Sequence, residues 1–357
     1  MMKRYERQIA LPEIGISGQE KLSKAKVLVI GAGGLGCPVL QNLAGAGVGC
    51  IGIVDGDVVE ASNLHRQFLY TLADIGKNKA KRAAEVVSQQ NPEIKVVSYE
   101  RFFTKENAFE IVADYQIIVD CSDSLATRYL INDVALVKSI PMVYASIHKM
   151  EGQLSVFNYQ AGPTYRCLFP EKTNGTATVN CHDGGVLGVL PNTLGTLQAT
   201  EVLKIILEIG TVLSGKLLLY DGLEMKTQQL TFEKNPIEVQ NGLLNGLSIL
   251  NEAPKTVKSI SSENFHEEVA KENNLIIDLR EIYEEPKLDF PNIKTVPIDE
   301  LENYLSVTSK NQKIILLCSF GNKSLLAAEY LLQNGFTNLF HLHKGINALK
   351  EPLSYRS

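Results

Sequence analysis

The sequence has few cysteines, no excess of positive charge and only one long stretch without charged residues. Six cysteines in 357 residues are too few for a fold held together by disulfides. Asp and Glu together number 40 against 35 for Lys and Arg, and the net charge of −5 gives no general electrostatic reason to bind nucleic acid or an anionic membrane. Hydrophobic residues make up 45% of the chain and charged residues 21%, which predicts a folded protein with a sizeable core.

Two segments are candidate membrane-directing sequences, and neither has the pattern that such a sequence requires. The first residues, Met1–Arg7, are not followed by the apolar stretch of a signal peptide. Residues 27–54 carry no charge and are long enough to span a bilayer, but Pro38 and several glycines interrupt them. Two β-branched runs around a glycine-rich turn are typical of a buried β-α-β unit. We therefore expect a cytoplasmic protein with neither a membrane nor a nucleic acid as partner.

Short β-branched strands alternate with helices along the first two thirds of the chain. Val27–Ile30, Cys50–Val54, Lys95–Tyr99 and Ile117–Val119 have the length and composition of buried strands. Helix-compatible segments lie between them. This alternation predicts an α/β fold, with a Rossmann-like, doubly wound and mostly parallel sheet.

The chain is predicted to contain two domains and a linker. The first domain takes in residues 1–240. Around residues 235–256 the pattern fades into Asn, Gly and Pro, and we interpret residues 241–257 as the linker. The alternation restarts in residues 258–357, which are enough for a second, small α/β domain.

A glycine-rich turn follows the first predicted strand. Gly31, Gly33, Gly34 and Gly36 fit the pattern G-x-G-x-x-G, in which glycines let the backbone approach a phosphate at a helix N-terminus. Asp55 ends the next strand, where a carboxylate can accept hydrogen bonds from ribose hydroxyls. The motif by itself indicates only a nucleotide, because a dehydrogenase would present the same residues.

Polar residues beyond the second strand favour a triphosphate. They are Ser62, Asn63, Leu64, His65, Arg66, Gln67 and, further on, Lys79. Transfer at an α-phosphorus requires cationic donors along the phosphates, and Arg66 and Lys79 are the candidates. Asp123 follows a later strand at the same sheet edge and is a candidate ligand of Mg²⁺.

Together these motifs resemble the MoeB/ThiF/HesA family, the ubiquitin-activating-enzyme-like adenylyltransferases of sulfur-carrier proteins. The resemblance covers about residues 1–233. Besides the glycine turn it rests on Arg4–Gln8, Asp55–Asp57, Ser62–Gln67, Asp120–Asp123 and Cys181–Gly188. It implies that ATP, with Mg²⁺, adenylates the C-terminal glycine of a small ubiquitin-like carrier that ends in Gly-Gly, and that the enzyme is a homodimer.

The resemblance also assigns roles to residues of this sequence. It implies that Asp57 and Ser124 join the residues above around ATP, although Ser124 stands where relatives usually have Asn. Asp123 would hold Mg²⁺. Arg7 would reach a phosphate from the neighbouring subunit, and with Arg66 and Lys79 it would stabilise charge in the transition state.

The cysteines differ in their expected roles. Relatives commonly carry two C-x-x-C pairs that bind zinc, but here the first reads Thr164–Cys167 and the second region, Asn235–Gln240, has no cysteine. One thiol cannot form a tetrahedral thiolate site, so we predict no zinc and treat Cys167 as a bystander. Cys181 could act in redox or transfer chemistry, as the cysteine at this point does in some relatives, or could be a packing residue. The remaining first-domain cysteines, Cys37, Cys50 and Cys121, are interpreted as packing residues.

Cys318 begins a loop, Cys318–Ser324, between a strand and a helix. The backbone N–H groups of such a loop can turn toward one sulfur and stabilise a thiolate or a persulfide. The arrangement resembles a single rhodanese domain, in which the cysteine carries a transferable sulfur. Ser319 and Lys323 stand where relatives usually have Arg. The whole chain resembles adenylyltransferase–sulfurtransferase fusions, including forms without zinc.

The sequence thus leads to the hypothesis of a two-step enzyme. The carrier, of the molybdopterin-synthase, thiamine or cysteine pathway type, is adenylated and then attacked by a Cys318 persulfide. Cys181 would release the thiocarboxylate, and a cysteine desulfurase would be one possible sulfur donor. Two alternatives stay open: a nicotinamide-dependent oxidoreductase, and a catalytically silent scaffold that binds a ubiquitin-like partner.

Overall fold

The structure is a computed structural model that describes residues 2–171, 185–252, 257–271, 273–288, 290 and 292–349. The chain divides into two compact units, Met1–Ala253 and Pro254–Ser357, which we call the first and the second unit. Each is an α/β unit built on its own sheet, as predicted. Within the described ranges, no helix is both long enough and apolar enough to cross a bilayer.

The first unit alternates helices and strands as the sequence predicts. Its described helices are α1 (Met2–Ile9), α2 (Gly15–Lys24), α3 (Gly36–Ala46), α4 (Lys79–Gln90), α5 (Ala108–Val112), α6 (Leu125–Lys138), α7 (Tyr165–Leu168), α8 (Val189–Leu207) and α9 (Pro236–Glu252). Its described strands are β1 (Lys26–Ile30), β2 (Cys50–Val54), β3 (Lys95–Tyr99), β4 (Ile117–Asp120), β5 (Met142–His148), β6 (Glu151–Phe157), β7 (Lys216–Asp221) and β8 (Lys226–Thr231).

The sheet of the first unit has the strand order β3-β2-β1-β4-β5-β6-β7-β8. The first five strands in this order, β3-β2-β1-β4-β5, pair in parallel, and β6, β7 and β8 continue the sheet with antiparallel pairing. The predicted Rossmann-like, mostly parallel sheet is therefore confirmed. The strand order reverses between β1 and β4, where Ile30 pairs with Asp120. A crevice at the carboxyl ends of such strands is where open α/β sheets bind ligands.

Both faces of this sheet are buried, which explains the apolar runs in the sequence. Val27 and Val29 of β1 point into a core cluster shared with α3 and α8. Leu28 and Ile30, which alternate with them, point into a second cluster shared with α5 and α6. Because successive strand residues face opposite sides, a strand covered by helices on both sides is apolar throughout.

The second unit contains a smaller sheet with all-parallel pairing and the order β11-β10-β12-β13-β9. The described strands are β9 (Lys258–Ile260), β10 (Leu275–Asp278), β11 (Ile293–Thr295), β12 (Ile314–Leu317) and β13 (Leu339–Leu342). The described helices are α10 (Ser262–Val269), α11 (Leu301–Leu305) and α12 (Asn322–Gln333). Separate apolar clusters cover the two faces of this sheet.

The segment predicted as a linker begins with a helix. α9 (Pro236–Glu252) takes up most of residues 241–257, so the larger part of the segment that we interpret as a linker is helical. The Oδ1 atom of Asn235 accepts hydrogen bonds from the backbone N–H groups of Ile237, at 3.1 Å, and Glu238, at 3.4 Å. A capping Asn followed by Pro at the first helical position is a favourable helix start.

The glycines that suggested a linker allow α9 to pack closely against α6. A Cβ atom at Gly242 would lie 2.8 Å from Cδ1 of Leu136. One at Gly246 would overlap the carbonyl oxygen of Asp133. A side chain at Gly246 would thus overlap the backbone of α6, and one at Gly242 would displace neighbouring side chains, so both glycines serve helix packing.

Candidate functional site

The glycine turn joins β1 to α3 at the carboxyl edge of the sheet. Gly31 has φ +97°, and a Cβ atom there would lie 2.6 Å from the carbonyl oxygen of Cys121. A Cβ atom at Gly36 would overlap the carbonyl oxygen of Gly31. α3 starts after this turn without a capping side chain. Its partial positive charge therefore faces the turn, where a phosphate can be bound.

Asp55 is hydrogen-bonded to the glycine turn. Its Oδ2 atom accepts from the Ala32 N–H at 2.8 Å and its Oδ1 atom from the Asp57 N–H at 2.8 Å. Burial raises the pKa of this carboxyl, and the two N–H groups oppose the rise. Each oxygen keeps a free lone pair, so the carboxylate can still accept from a ribose hydroxyl.

Lys79 lies at the start of α4 and joins the same site through Asp57. Its Nζ atom is 3.2 Å from Asp57 Oδ2, and the residue is only 7% exposed. The Tyr70 hydroxyl donates to the carbonyl oxygens of Ala32, at 2.8 Å, and Lys79, at 3.2 Å. The structure thus holds a nearly buried cation beside the turn. The sequence does not predict a role for Tyr70, because nothing in its local pattern marks it.

Two buried amide side chains belong to the polar segment after β2. Asn63 is 8% exposed and Gln67 is 3% exposed. Among the described residues, neither Asn63 Oδ1 nor Gln67 Oε1 has a hydrogen-bond partner. A Cβ atom at Gly33 would lie 3.5 Å from Gln67 Nε2, which puts Gln67 beside the turn. Because an unsatisfied buried oxygen costs free energy, these two acceptors are available to a polar ligand at this position.

Arg66 lies on the other side of the turn. A Cβ atom at Gly34 would be 3.5 Å from its Cγ atom. Its guanidinium donates to the Ser62 carbonyl oxygen at 3.0 Å and lies 3.5 Å from the nitrogens of the exposed His65 ring. Leu64 is half-buried, and its side chain packs against the core. The structure therefore places Arg66 and Gln67 next to the turn and Leu64 in a packing position.

Asn192 and Gln198 of α8 also belong to this region and were not predicted. Asn192 Nδ2 donates to the Arg66 carbonyl oxygen at 3.2 Å. Gln198 Nε2 donates to the Asp120 carbonyl oxygen at 2.8 Å. The sequence offers no signal that separates them from the other polar residues of α8. Asn192 and Gln198 tie α8 to both segments that border the turn.

The segment after β4 contributes two carboxylates. Asp120 is fully buried, and its Oδ1 atom accepts from the backbone N–H, at 3.0 Å, and the hydroxyl, at 2.6 Å, of Ser122. Burial raises the pKa of Asp120, while Arg128 lowers it.

Asp123 is exposed, and its charge acts on Asp120. An exposed carboxylate at this edge suits Mg²⁺, which commonly takes one or two protein carboxylates together with phosphate oxygens. Ser124 caps α6 by accepting from the Thr127 N–H at 3.4 Å.

Arg7 lies away from the glycine turn of its own chain. It is exposed on α1. Two other residues of α1 show where this helix packs: the Tyr5 hydroxyl accepts from Asn91 Nδ2 at 2.8 Å, and Gln8 donates to the Ala46 carbonyl oxygen at 2.9 Å. These contacts are at the C-terminal ends of α3 and α4, whereas the turn is at the N-terminal end of α3, roughly 16 Å away by helix rise. The structure therefore does not bring Arg7 together with Arg66 and Lys79 within one chain.

In the second unit, the thiol of Cys318 is enclosed by the loop that this residue begins. The residue is 3% exposed, and its Sγ atom accepts from the N–H groups of Gly321, at 3.1 Å, and Ser324, at 3.3 Å. This is the arrangement expected for a loop that holds an anionic sulfur. Arg280, at the end of the neighbouring strand, is bound by Asp278 at 2.8 Å and is not available to a second anion.

Cys167 is more than a bystander. Its Sγ atom accepts from the backbone N–H groups of Asn235, at 3.3 Å, and Thr164, at 3.4 Å. These bonds join the two segments in which relatives would carry their cysteine pairs. No group of three or more His, Cys, Asp or Glu side chains that could hold a metal occurs among the described residues.

An ion pair beside Cys167 is expected to stabilise the first unit. The guanidinium of Arg166, 4% exposed, donates to both oxygens of Asp133 at 2.7 and 2.8 Å. Arg166→Met should lower the free energy of unfolding by about 3–5 kcal/mol in urea denaturation, because the Asp133 charge is left buried. Arg101→Met breaks the more exposed pair with Glu110 and should cost less than about 1 kcal/mol. Equal losses in the two variants would contradict this account.

The other predicted cysteines differ in exposure. Cys37 and Cys121 are buried, and Cys50 is half-buried. Burial raises the pKa of Cys37 to about 12, which suits a packing residue rather than a reactive thiol. Cys181 lies outside the described residues.

Comparisons with known proteins match two different families to two separate parts of the chain. A model of the ThiF family matches residues 5–239, and a model of the rhodanese-like domain matches residues 261–352. The sulfur carrier protein adenylyltransferase of Thermus thermophilus is 48% identical over 240 residues, which cover 66% of this chain and 89% of that protein. The adenylyltransferase and sulfurtransferase MOCS3 of Anopheles gambiae is 38% identical over 364 residues, which cover 92% and 81%.

A solved structure extends the similarity to the fold. The crystal structure of E. coli MccB aligns with a TM-score of 0.59 at 23% identity, over 66% of this chain and 71% of that one. At this identity the match supports the fold alone.

Proposed function

This chain belongs to the ThiF family and carries a rhodanese-like domain, and from this we propose that it adenylates the C-terminal glycine of a ubiquitin-like sulfur-carrier protein and then transfers sulfur to it. ATP is the substrate of the first step. The observation that carries the proposal is the pair of buried amide oxygens, of Asn63 and Gln67, that have no partner among the described residues, with Gln67 next to the glycine turn. The nearly buried Lys79 adds a cation to this site.

The first step is an attack by a carboxylate oxygen of the carrier's terminal glycine on the α-phosphorus of ATP. A new O–P bond forms, and pyrophosphate leaves with the electrons of the broken bond. Arg66 and Lys79 stabilise the charge that develops on the phosphate oxygens. The nucleophile is already ionised, so the site needs no general base. Asp57, paired with Lys79, keeps the ammonium group in position.

Asp123 is the residue proposed to hold Mg²⁺, together with phosphate oxygens. When bound, the ion neutralises part of the phosphate charge and orients the leaving pyrophosphate. Asp120 is buried behind Asp123 and fixes the loop through Ser122.

A homodimer would complete the site with Arg7. Its place on α1, at the far end of α3 and α4, is consistent with a role toward a neighbouring subunit and not toward its own glycine turn.

The second step uses the thiol of Cys318. A persulfide on Cys318 attacks the carbonyl carbon of the acyl adenylate, AMP leaves, and an acyl disulfide forms. A second thiol, for which Cys181 is the candidate, attacks the Cys318 sulfur. The thiocarboxylate then leaves, and a disulfide remains for an external thiol to reduce. The N–H groups of Gly321 and Ser324 support an anionic sulfur at Cys318.

The two alternatives explain fewer features. A nicotinamide-dependent oxidoreductase would use the glycine turn and Asp55 but would leave Lys79 and the Cys318 loop without a function. A catalytically silent scaffold would need neither the buried cation nor the sulfur-binding loop. Both are therefore less well supported than the two-step enzyme.

Carrier-dependent exchange of labelled pyrophosphate into ATP tests the first step. We expect exchange with at least one purified ubiquitin-like carrier of the molybdopterin, thiamine or cysteine pathway type. The same carrier without its terminal Gly-Gly should give none, because the attacking carboxylate is then misplaced. Absence of exchange with every candidate, or a nicotinamide-dependent absorbance change, would reject the proposal.

A further inference from the structure

A carboxylate is fixed at the residue that follows Cys318. The Oε2 atom of Glu284 accepts from the Ser319 hydroxyl at 3.0 Å, and Ser319 is the residue after the cysteine. The Oε1 atom of Glu284 accepts from the Glu281 N–H at 3.1 Å. These donors lower the pKa of Glu284, the Glu281 N–H most strongly, and Lys323 and Arg280 add to the effect. Glu284 therefore carries a negative charge at neutral pH.

The positive charges near Glu284 already interact with carboxylates and do not form a binding site for a small anion beside Cys318. The guanidinium of Arg280 is 4% exposed and is bound to both oxygens of Asp278 and to the Pro286 carbonyl oxygen. Lys323 is exposed, and its charge acts on Glu284. A small anion that approaches Cys318 thus meets a fixed carboxylate, and the nearby charges of Lys323 and Arg280 already act on that carboxylate.

Exposed apolar side chains flank the same carboxylate. Phe320 follows Ser319 in the loop and is 71% exposed, and Ile282 and Tyr283 precede Glu284 and are 71% and 80% exposed. The Ser319–Glu284 hydrogen bond holds these two segments next to each other. Exposed apolar side chains that form such a rim are typical of a surface that contacts another protein rather than a small hydrophilic ion.

We infer that Glu284 is a specificity residue of the Cys318 site, which disfavours small dianionic sulfur donors and favours a persulfide carried by a cysteine of another protein. The inference rests on the proposed sulfur-transfer step and deepens it by naming the class of donor. Repulsion between the carboxylate and a dianion raises the barrier to its approach. A protein-bound persulfide carries at most one negative charge and brings a surface that can cover the apolar rim.

Both classes of donor would react by the same balanced exchange. With thiosulfate, the Cys318 thiolate attacks the outer sulfur, a new S–S bond forms, and sulfite leaves with the electrons of the old one. With a cysteine persulfide, the thiolate attacks the terminal sulfur and the donor leaves as a thiolate. The donors therefore differ in charge and contact surface and not in the chemistry of transfer.

Sulfur loading of the full-length protein by thiosulfate tests the inference. Glu284→Gln keeps the shape of the side chain and removes the charge: the amide oxygen can still accept from the Glu281 N–H, and the amide NH2 can donate to the Ser319 hydroxyl oxygen. We expect kcat/KM for thiosulfate to rise about ten- to a hundredfold, and the gain to shrink in 1 M salt. Glu285→Gln removes a neighbouring exposed charge and should give a much smaller gain. If the two variants gain equally, or Glu284→Gln gains nothing while the unchanged protein takes up sulfur, the inference is overturned.

Alkylation of Cys318 provides a measurement that does not depend on sulfur transfer. Iodoacetate and iodoacetamide differ in charge, and the ratio of their rates at the Cys318 peptide cancels changes in access or thiol reactivity. The ratio should rise by about three- to tenfold in Glu284→Gln and stay near its original value in Glu285→Gln. An unchanged ratio contradicts the role of Glu284. A raised ratio without sulfur loading from any donor supports that role and rejects sulfur transfer by Cys318.

Discussion

Lys79→Met is expected to abolish most of the adenylation activity. The ammonium group is nearly buried beside the glycine turn, and in our proposal it stabilises charge on the phosphates of ATP. Removal of one such preorganised donor commonly costs about 10²–10³ in kcat. Carrier-dependent pyrophosphate exchange should fall by that factor, with a smaller change in KM for ATP because the lost interaction is strongest in the transition state.

Lys81→Met is the matched control for this variant. Lys81 lies two residues further along α4 and is exposed, so its replacement should leave exchange within about twofold of the original rate. Circular dichroism of both variants would check that the fold is kept, since Lys79 also pairs with Asp57. If Lys79→Met retained full activity, the nucleotide site proposed here would be wrong.

Cys318→Ala is expected to separate the two activities of the chain. Without the nucleophilic sulfur, formation of carrier thiocarboxylate from a protein-bound sulfur donor should fall by at least about a thousandfold. Pyrophosphate exchange should be unchanged, because Cys318 belongs to the second unit and the glycine turn to the first. Mass spectrometry of the carrier and the exchange assay would measure the two steps on the same preparations.

A cysteine elsewhere in the chain serves as the control for this variant. Cys50 is a half-buried residue at the start of β2, and Cys50→Ala should keep both activities. Thiocarboxylate formation at the original rate by Cys318→Ala would mean that sulfur reaches the acyl adenylate without this cysteine. The rhodanese-like domain would then act only as a docking module.

The fold class could be predicted because it depends on residues that are close in the sequence. The strands Cys50–Val54 and Lys95–Tyr99 have the predicted bounds, since a short β-branched run between turn residues is a local signal. The glycine turn was equally readable, because its steric requirement acts on consecutive backbone positions. The same local reading failed at α9, where the glycines serve contacts with α6.

The partners of the charged side chains could not be read in this way. Arg280 is neutralised by Asp278, which is near it in the sequence, but no pattern distinguished this from a free guanidinium. The Ser319–Glu284 hydrogen bond joins residues 35 positions apart. The position of Arg7 relative to the glycine turn likewise depends on how α1 packs against α3 and α4.

The sequence by itself determined the alternation of strands and helices, the glycine turn and the loop that begins at Cys318. Only the tertiary structure decided that Asn63 and Gln67 are buried with unpartnered oxygens among the described residues, and that Glu284 lies beside the thiol loop. The physical reason is that backbone conformation follows from steric preferences of neighbouring residues. The surroundings of a polar side chain depend instead on which distant segments pack around it, and these surroundings set its charge and its chemistry.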